Sequence, residues 1–220
     1  VKGRAGAELS KTDVLSALDI IETNHEQLQP LPHWVAPNAA MIKWMRLWGV
    51  LRAVEGGRLR GMYDPKENRY VFLADQEGRL VAAQGRAAYT DNYRAIQIKW
   101  KHYYGRVRAP FIIPQVGTYM RPEYHAAKVG IIVEDITSAA VVSEYADGIA
   151  LMGTSLLEDY FPILGTYDKV VIHLDKDANS KALDMTGLLT WHTKATMVMA
   201  EKDPKNMNGI ELGKLYGSIL

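Results

Sequence analysis

With 220 residues, 48% of them hydrophobic and 23% charged, the chain can bury a substantial core and has the composition of a globular protein. It has no cysteine, which excludes disulfides, thiol catalysis and cysteine-held zinc within this chain, and no run approaches the roughly 18 uninterrupted apolar residues of a membrane span. The net charge of +1 conceals two unlike halves: 12 Lys+Arg against 6 Asp+Glu from Arg52 to Arg108, then 5 against 12 from Gly130 to Pro204. Such an asymmetry suggests a module for a polyanion beside a module for a cation.

The first ten residues lack an apolar h-region, so no secretory signal is expected, and residues 1–9, small, basic and Gly/Ala-rich, read as disordered. Ser10 is placed to cap a helix whose apolar face is Val14, Leu15, Leu18, Ile21 and Leu28. Pro30, Pro32 and Pro37 make a stiff link, after which Asn38 caps a second helix, AAMIKWMRLW, that stops at Gly49. Its stripe of Met41, Trp44, Met45 and Trp48 is expected to pack in the core, with base stacking as the alternative. From Leu51 to Arg86 the pattern turns to short strands. RYVFLA and RLVAAQGR flank Asp75-Gln76-Glu77-Gly78, which reads as a hairpin turn.

YRAIQIKWKHYYGRVR interleaves Arg94, Lys99, Lys101, Arg106 and Arg108 with Tyr93, Trp100, Tyr103 and Tyr104. Cations among aromatics hold phosphates and stack bases, although a strand with one aromatic core face and one basic solvated face spells the same letters. PFIIPQ and a loop from Gly117 to Arg121 lead to the acidic half. There VGIIV delivers Glu134, and a helix is expected from about Thr137 to Tyr145. GIALM ends at Gly153, and Thr154 or Ser155 is expected to cap a helix through Leu164. KVVIHL delivers Asp175 and Asp177, a helix spans Ala178 to Leu189, and ATMVMA leads to Asp203. Apolar runs alternating with helical segments predict an α/β fold with a parallel sheet.

Ligands of such sheets gather at the carboxyl ends of the strands, and Glu134, Asp175, Asp177 and Asp203 all stand there. Acids brought together repel unless a cation lies between them, and a hard divalent ion such as Mg²⁺ takes carboxylate oxygens. Asp175-Lys176-Asp177 taken alone is an ordinary solvated turn. With Glu134 and Asp203 in order it reads as a metal-binding pair, its two side chains pointing the same way if the segment is extended.

IIVEDITSA, ALMGT, VVIHLDKDA and EKDPK, in this order from about Val129 to Pro204, resemble the Toprim domain of bacterial-type primases, topoisomerases, small nucleases and recombination mediators. RYVFLADQEGRLVAAQGR and AMIKWMRLWGV resemble the segments preceding that domain in bacterial and phage primases, so the resemblance points to the RNA polymerase core of a phage primase or primase-helicase. It implies a Rossmann-like parallel sheet flanked by helices over 126–205. Before it come a helical lead-in over 1–50 and a smaller mixed α+β basic subdomain over 51–125, and after it a tail or helix over 206–220.

The activity implied is synthesis of short RNA primers from ribonucleoside triphosphates on a single-stranded DNA template. The cofactor implied is Mg²⁺, with Mn²⁺ as its substitute. Glu134, Asp175 and Asp177 would be the catalytic metal ligands and Asp203 a further acid beside a second ion. Gly153 would match the glycine closing the second strand. Arg86, with Arg94, Lys99 and Lys101, would hold nucleotide and template phosphates. A replicative helicase and a zinc-binding module would lie outside this chain, which has neither GxxxxGK[ST] nor cysteine. No membrane is implied, and the location would be cytoplasmic, in a host cell if the chain is phage-encoded. A Toprim nuclease and a non-catalytic Toprim module binding DNA or a replisome partner are the alternatives. The chain departs from the family pattern at Asp135, Ser138 and Ser180, and carries Gln76 and Gln84 where lysines are expected.

Overall fold

The computed structural model describes residues 28–76, 79–88, 98–103, 110–116 and 127–219. Outside them lie the expected disordered start, the Ser10-capped helix, the 77–78 tip of the hairpin, Arg94, the Tyr104–Arg108 stretch and the whole Gly117–Arg121 loop.

One antiparallel sheet and one mainly parallel sheet divide the chain along its charge asymmetry. The first holds β1 (Arg60–Asp64), β2 (Arg69–Gln76), β3 (Arg79–Ala87) and β4 (Trp100–His102) in the order β1-β2-β3-β4, all antiparallel. The second holds β5 (Phe111–Ile113), β6 (Val129–Val133), β7 (Asp147–Ala150), β8 (Lys169–Ile172) and β9 (Lys194–Met197) in the order β5-β7-β6-β8-β9. β6 (VGIIV) and β8 (KVVI) are Val/Ile-rich, apart from Gly130 and the leading Lys169, because both their faces are covered, and they pair in parallel at the centre of the sheet. β5, by contrast, joins the edge antiparallel to β7.

In the lead-in, α1 (Ala39–Leu47) begins where Asn38 Oδ1 accepts the Met41 amide at 2.8 Å. Met41 and Met45 are fully buried, and Trp44 packs 5.4 Å from Tyr70 and 6.0 Å from Phe72, so the stripe belongs to the core. Leu51–Glu55 is a short helix, α2, and not a strand. Gly49, at φ +72°, turns the chain so that the Val50 amide bonds back to the Met45 carbonyl, and LRAVE then continues with residues that favour helix.

In the acidic half α3 spans Ile136–Val142, shorter than expected. The helix expected from Thr154 or Ser155 is absent: a 3₁₀ turn, Glu158–Tyr160, and a single α turn, α4 (Phe161–Leu164), take its place. Neither hydroxyl caps them, and Pro162 is accepted because first-turn amides have no partner inside the helix. α5 (Asn179–Leu189) and α6 (Gly209–Gly217) complete the half, α6 starting from a capping box of Asn208 and Glu211. One apolar core runs through both halves, from Met41, Met45 and Phe72 to Phe111, Ile131, Ile136 and Tyr216. Among the described residues no helix is long and apolar enough to cross a membrane.

Candidate active site

Ile132 pairs with Ile172, so β6 and β8 run out side by side and release their acids at one edge of the sheet. The His173 amide still donates to the Ile132 carbonyl at 2.8 Å, and the Asp175 amide donates to Glu134 Oε1 at 3.2 Å. Glu134 is held from the other side too, because Gly153 donates its amide to the Glu134 carbonyl at 3.2 Å. Gly153 has φ +156°, a conformation a side chain rarely adopts, so this glycine is set by the backbone path that closes on Glu134. Beneath the edge, buried His173 holds the Tyr216 hydroxyl at 2.7 Å through Nδ1, tying α6 to the strand that carries Asp175.

The extended Asp-x-Asp expected from the sequence is not formed. Asp175 is extended, but Lys176–Ala178 close a 3₁₀ turn in which the Ala178 amide reaches the Asp175 carbonyl at 2.8 Å. Three residues per turn send neighbouring side chains in different directions, which leaves Asp175 half-buried at the centre and Asp177 exposed at its rim. Asp203, after β9, opens the 3₁₀ turn Pro204–Asn206 and hydrogen-bonds the Asp175 carboxyl. Glu134, Asp175 and Asp203 are thus brought together, with Asp177 beside them.

Their crowding is visible in their proton affinities. Burial first, then the hydrogen bond with Asp203 and the charges of Glu134 and Asp203, push the Asp175 carboxyl up to about 7 against the pull of Lys205. Glu134 is raised by burial and by the charges of Asp177 and Asp203, opposed by the Asp175 amide and Lys205. Three carboxyls so close repel one another, and a cation brought between them would relieve that repulsion.

Lys205 is the residue that sequence reasoning missed. Its ammonium lies 3.1 Å from Asp203 Oδ2 and 3.1 Å from Asp135 Oδ2. In the sequence it is one more charge in EKDPK, and only the fold brings it to Asp135, 70 positions away. Asp135 itself caps α3, accepting the Thr137 hydroxyl at 2.6 Å and the Ser138 amide at 2.9 Å. Burial would raise its pKa, yet Lys205 and these donors hold it below the usual carboxylate range. Two of the departures from the family pattern, Asp135 and Ser138, are therefore one capping pair, while Ser180 lies exposed on α5.

Of the basic residues, Arg86 on β3 lies between Tyr70 and Trp100 in the sheet, its guanidinium 5.5 Å from the centre of the Trp100 ring. Lys99 is exposed. Lys101 is ion-paired with Glu67 and stands 4.8 Å from the Tyr103 ring centre. Tyr103 donates its hydroxyl to buried Asp64 at 2.6 Å, so it serves the core rather than an open stacking face. Gln84 is buried against His102.

Among the described residues, no three acidic or imidazole side chains close around one point as a complete ligand set. Mg²⁺ does not need one, since it binds through one or two carboxylates and keeps waters or phosphates. Glu134 and Asp175, hard oxygen donors that crowding leaves short of positive charge, fit that requirement.

No protein-family model and no curated protein matches the chain. Among solved structures its fold is similar to a crystal structure of the Aquifex aeolicus primase that comprises the zinc-binding and RNA polymerase domains, with a TM-score of 0.54 and 19% sequence identity. The likeness covers 92% of this chain and 55% of the primase chain, so the chain spans about half the length of that protein. At this identity the likeness is one of fold: a primase-like arrangement of an antiparallel and a mainly parallel sheet.

Proposed function

We propose that the chain is the catalytic core of a Toprim-type DNA primase of the phage kind, making short RNA primers on single-stranded DNA for replication. The observation that carries this reading is the gathering of Glu134, Asp175 and Asp203 at one sheet edge, in a primase-like fold whose other sheet is basic. Bound Mg²⁺, or Mn²⁺ in its place, would activate a 3′-hydroxyl and carry the charge of the departing pyrophosphate. Glu134 and Asp175 would supply its protein oxygens. The Asp175 amide keeps the Glu134 carboxylate in place beside the position such an ion would take. Asp177 at the rim would meet the ion's water shell. Arg86, Arg94 and exposed Lys99 would steer template and triphosphate by charge, joined by Lys101 where it exchanges Glu67 for a phosphate. Start-site choice through a zinc module and unwinding by a helicase would be supplied from outside these 220 residues.

The test is to incubate the protein with single-stranded DNA, labelled ribonucleotides and Mg²⁺ or Mn²⁺, with and without a pre-formed dinucleotide that bypasses initiation. Labelled oligoribonucleotides lost in Asp175→Ala/Asp177→Ala are expected. Cleaved template without synthesis would turn the reading to a nuclease, and salt-sensitive DNA binding with neither product would turn it to a binding module.

A further inference from the structure

Lys205 is built into the acidic centre more firmly than a surface lysine is held. Only 13% of its side chain is exposed, and its two partners, Asp135 and Asp203, are 12% and 20% exposed. Asp135 is a fixed post, because Thr137 and Ser138 at the start of α3 already hold its other oxygen. Lys205 leaves the 3₁₀ turn directly after buried Pro204, and the Asn206 amide closes that turn on the Asp203 carbonyl at 2.9 Å. Both ends of the lysine are therefore anchored, and its ammonium has little freedom to leave Asp203.

An ammonium at hydrogen-bond distance from Asp203 occupies one of that carboxylate's oxygens and repels any divalent ion brought to the same place. Glu134, whose Oε1 accepts the Asp175 amide at 3.2 Å, and the half-buried Asp175 carboxyl have no ion pair with Lys205, which contacts Asp135 and Asp203. We infer that Lys205 is the resident cation of the Asp203 side of the centre, a positioning residue that leaves the Glu134–Asp175 side as the place for one divalent ion and denies Asp203 to a second. This rests on the metal-dependent reading above and deepens it, since the centre would work with one exchangeable ion and one fixed charge.

The experiment is Mn²⁺ titration followed by electron paramagnetic resonance and calorimetry on the full chain, with thermal melts in chelator. Wild type is expected to bind one Mn²⁺ per chain, Lys205→Arg one, and Lys205→Met two. In chelator Lys205→Met should melt below wild type and recover on adding Mn²⁺, as the ion replaces the lost ammonium. Lys205→Gln, which keeps a donor near Asp135, stands in if Lys205→Met does not fold. Two ions on wild type, or one ion bound equally well by wild type and both uncharged variants, would overturn the inference while leaving the metal-dependent reading intact. No ion on wild type or any variant would overturn both.

Discussion

Arg58 Nη1 lies 2.6 Å from Ser143 Oγ, and this contact joins the two sheets. The same guanidinium reaches the Pro114 carbonyl at 3.1 Å and Glu144 Oε1 at 2.8 Å, so a residue just before β1 clamps the end of α3 and the exit of β5. Its side chain is only 7% exposed. Arg58→Ala would leave buried Ser143 and the half-buried Pro114 carbonyl and Glu144 without their donor, at a cost of about 3 kcal/mol. Arg58→Lys should recover less than half, because an ammonium cannot reproduce the fork. Urea unfolding of the three proteins measures both.

Gly148 on β7 predicts a larger penalty. A Cβ there would stand 2.0 Å from the Ala139 carbonyl oxygen of α3, which is backbone and cannot swing away. Gly148→Ala must push α3 off the sheet, moving Asp135 with it, and is expected to cost about 3 kcal/mol or more. Gly187→Ala, inside α5 with nothing within 4 Å, should instead stabilise by about 0.5–1 kcal/mol. Thermal melts of the pair test the contrast.

The difference between those glycines marks what the sequence can reveal. VGIIV and KVVI announce buried parallel strands because an uninterrupted apolar run has no other stable home, and the acids at their ends follow from that register. Asn38 and Gly49 bound a helix through local chemistry that is equally readable. Gly148 and Lys205 are legible only once β7 meets α3 and the Pro204 turn meets Asp135, contacts between distant positions. The same reason hid the direction of the edge strand β5, whose FII spells a strand and nothing more, whereas the turn at Asp177 is local: the Ala178 amide bonds the Asp175 carbonyl three residues back, a choice the letters DKDA leave open.

Asp64 gives the pH dependence. It is fully buried and accepts from Tyr103 at 2.6 Å, Trp34 at 3.2 Å and the amides of Lys66 and Glu67. Burial raises its pKa, but these donors outweigh it and the net shift is downward from 3.8. A depressed folded pKa contributes stability above the unfolded value and loses it as pH falls through the folded one. Wild type should therefore lose stability steeply below about pH 4, while Asp64→Asn, less stable at pH 7 by about 2 kcal/mol, should lose less over that range. Denaturant midpoints at pH 7 and pH 3 decide it.

Lys99 and Lys101 separate on salt dependence. Lys99 is exposed, whereas Lys101 is already neutralised by Glu67. If the basic sheet meets a nucleic-acid backbone, Lys99→Ala should lower the slope of log affinity against log salt by about 1, as loss of one phosphate contact does. Lys101→Ala should change it by a small fraction of that. Fluorescence anisotropy with single-stranded DNA at several salt concentrations reads the two slopes, and equal effects would mean that Lys101 leaves Glu67 on binding.

Asp175 and Asp177 are expected to differ as well, although one motif carries both. Asp175 is half-buried, bonded to Asp203, and fixed by the amide that also holds Glu134. Asp177 sits exposed in the 3₁₀ turn, where an asparagine keeps the turn and most of the polarity. A group that contacts the ion directly supports charge developing in the transition state, and its loss costs on the order of 10²-fold or more in rate. One that acts through the ion's water shell loses less. On the proposed function, Asp175→Asn is expected to reduce primer synthesis by at least about 10²-fold, and Asp177→Asn by less. Dinucleotide-primed extension at saturating Mg²⁺ measures both rates, and excess Mn²⁺ should restore Asp177→Asn more fully, because Glu134 and Asp175, the proposed ligands of the ion, remain.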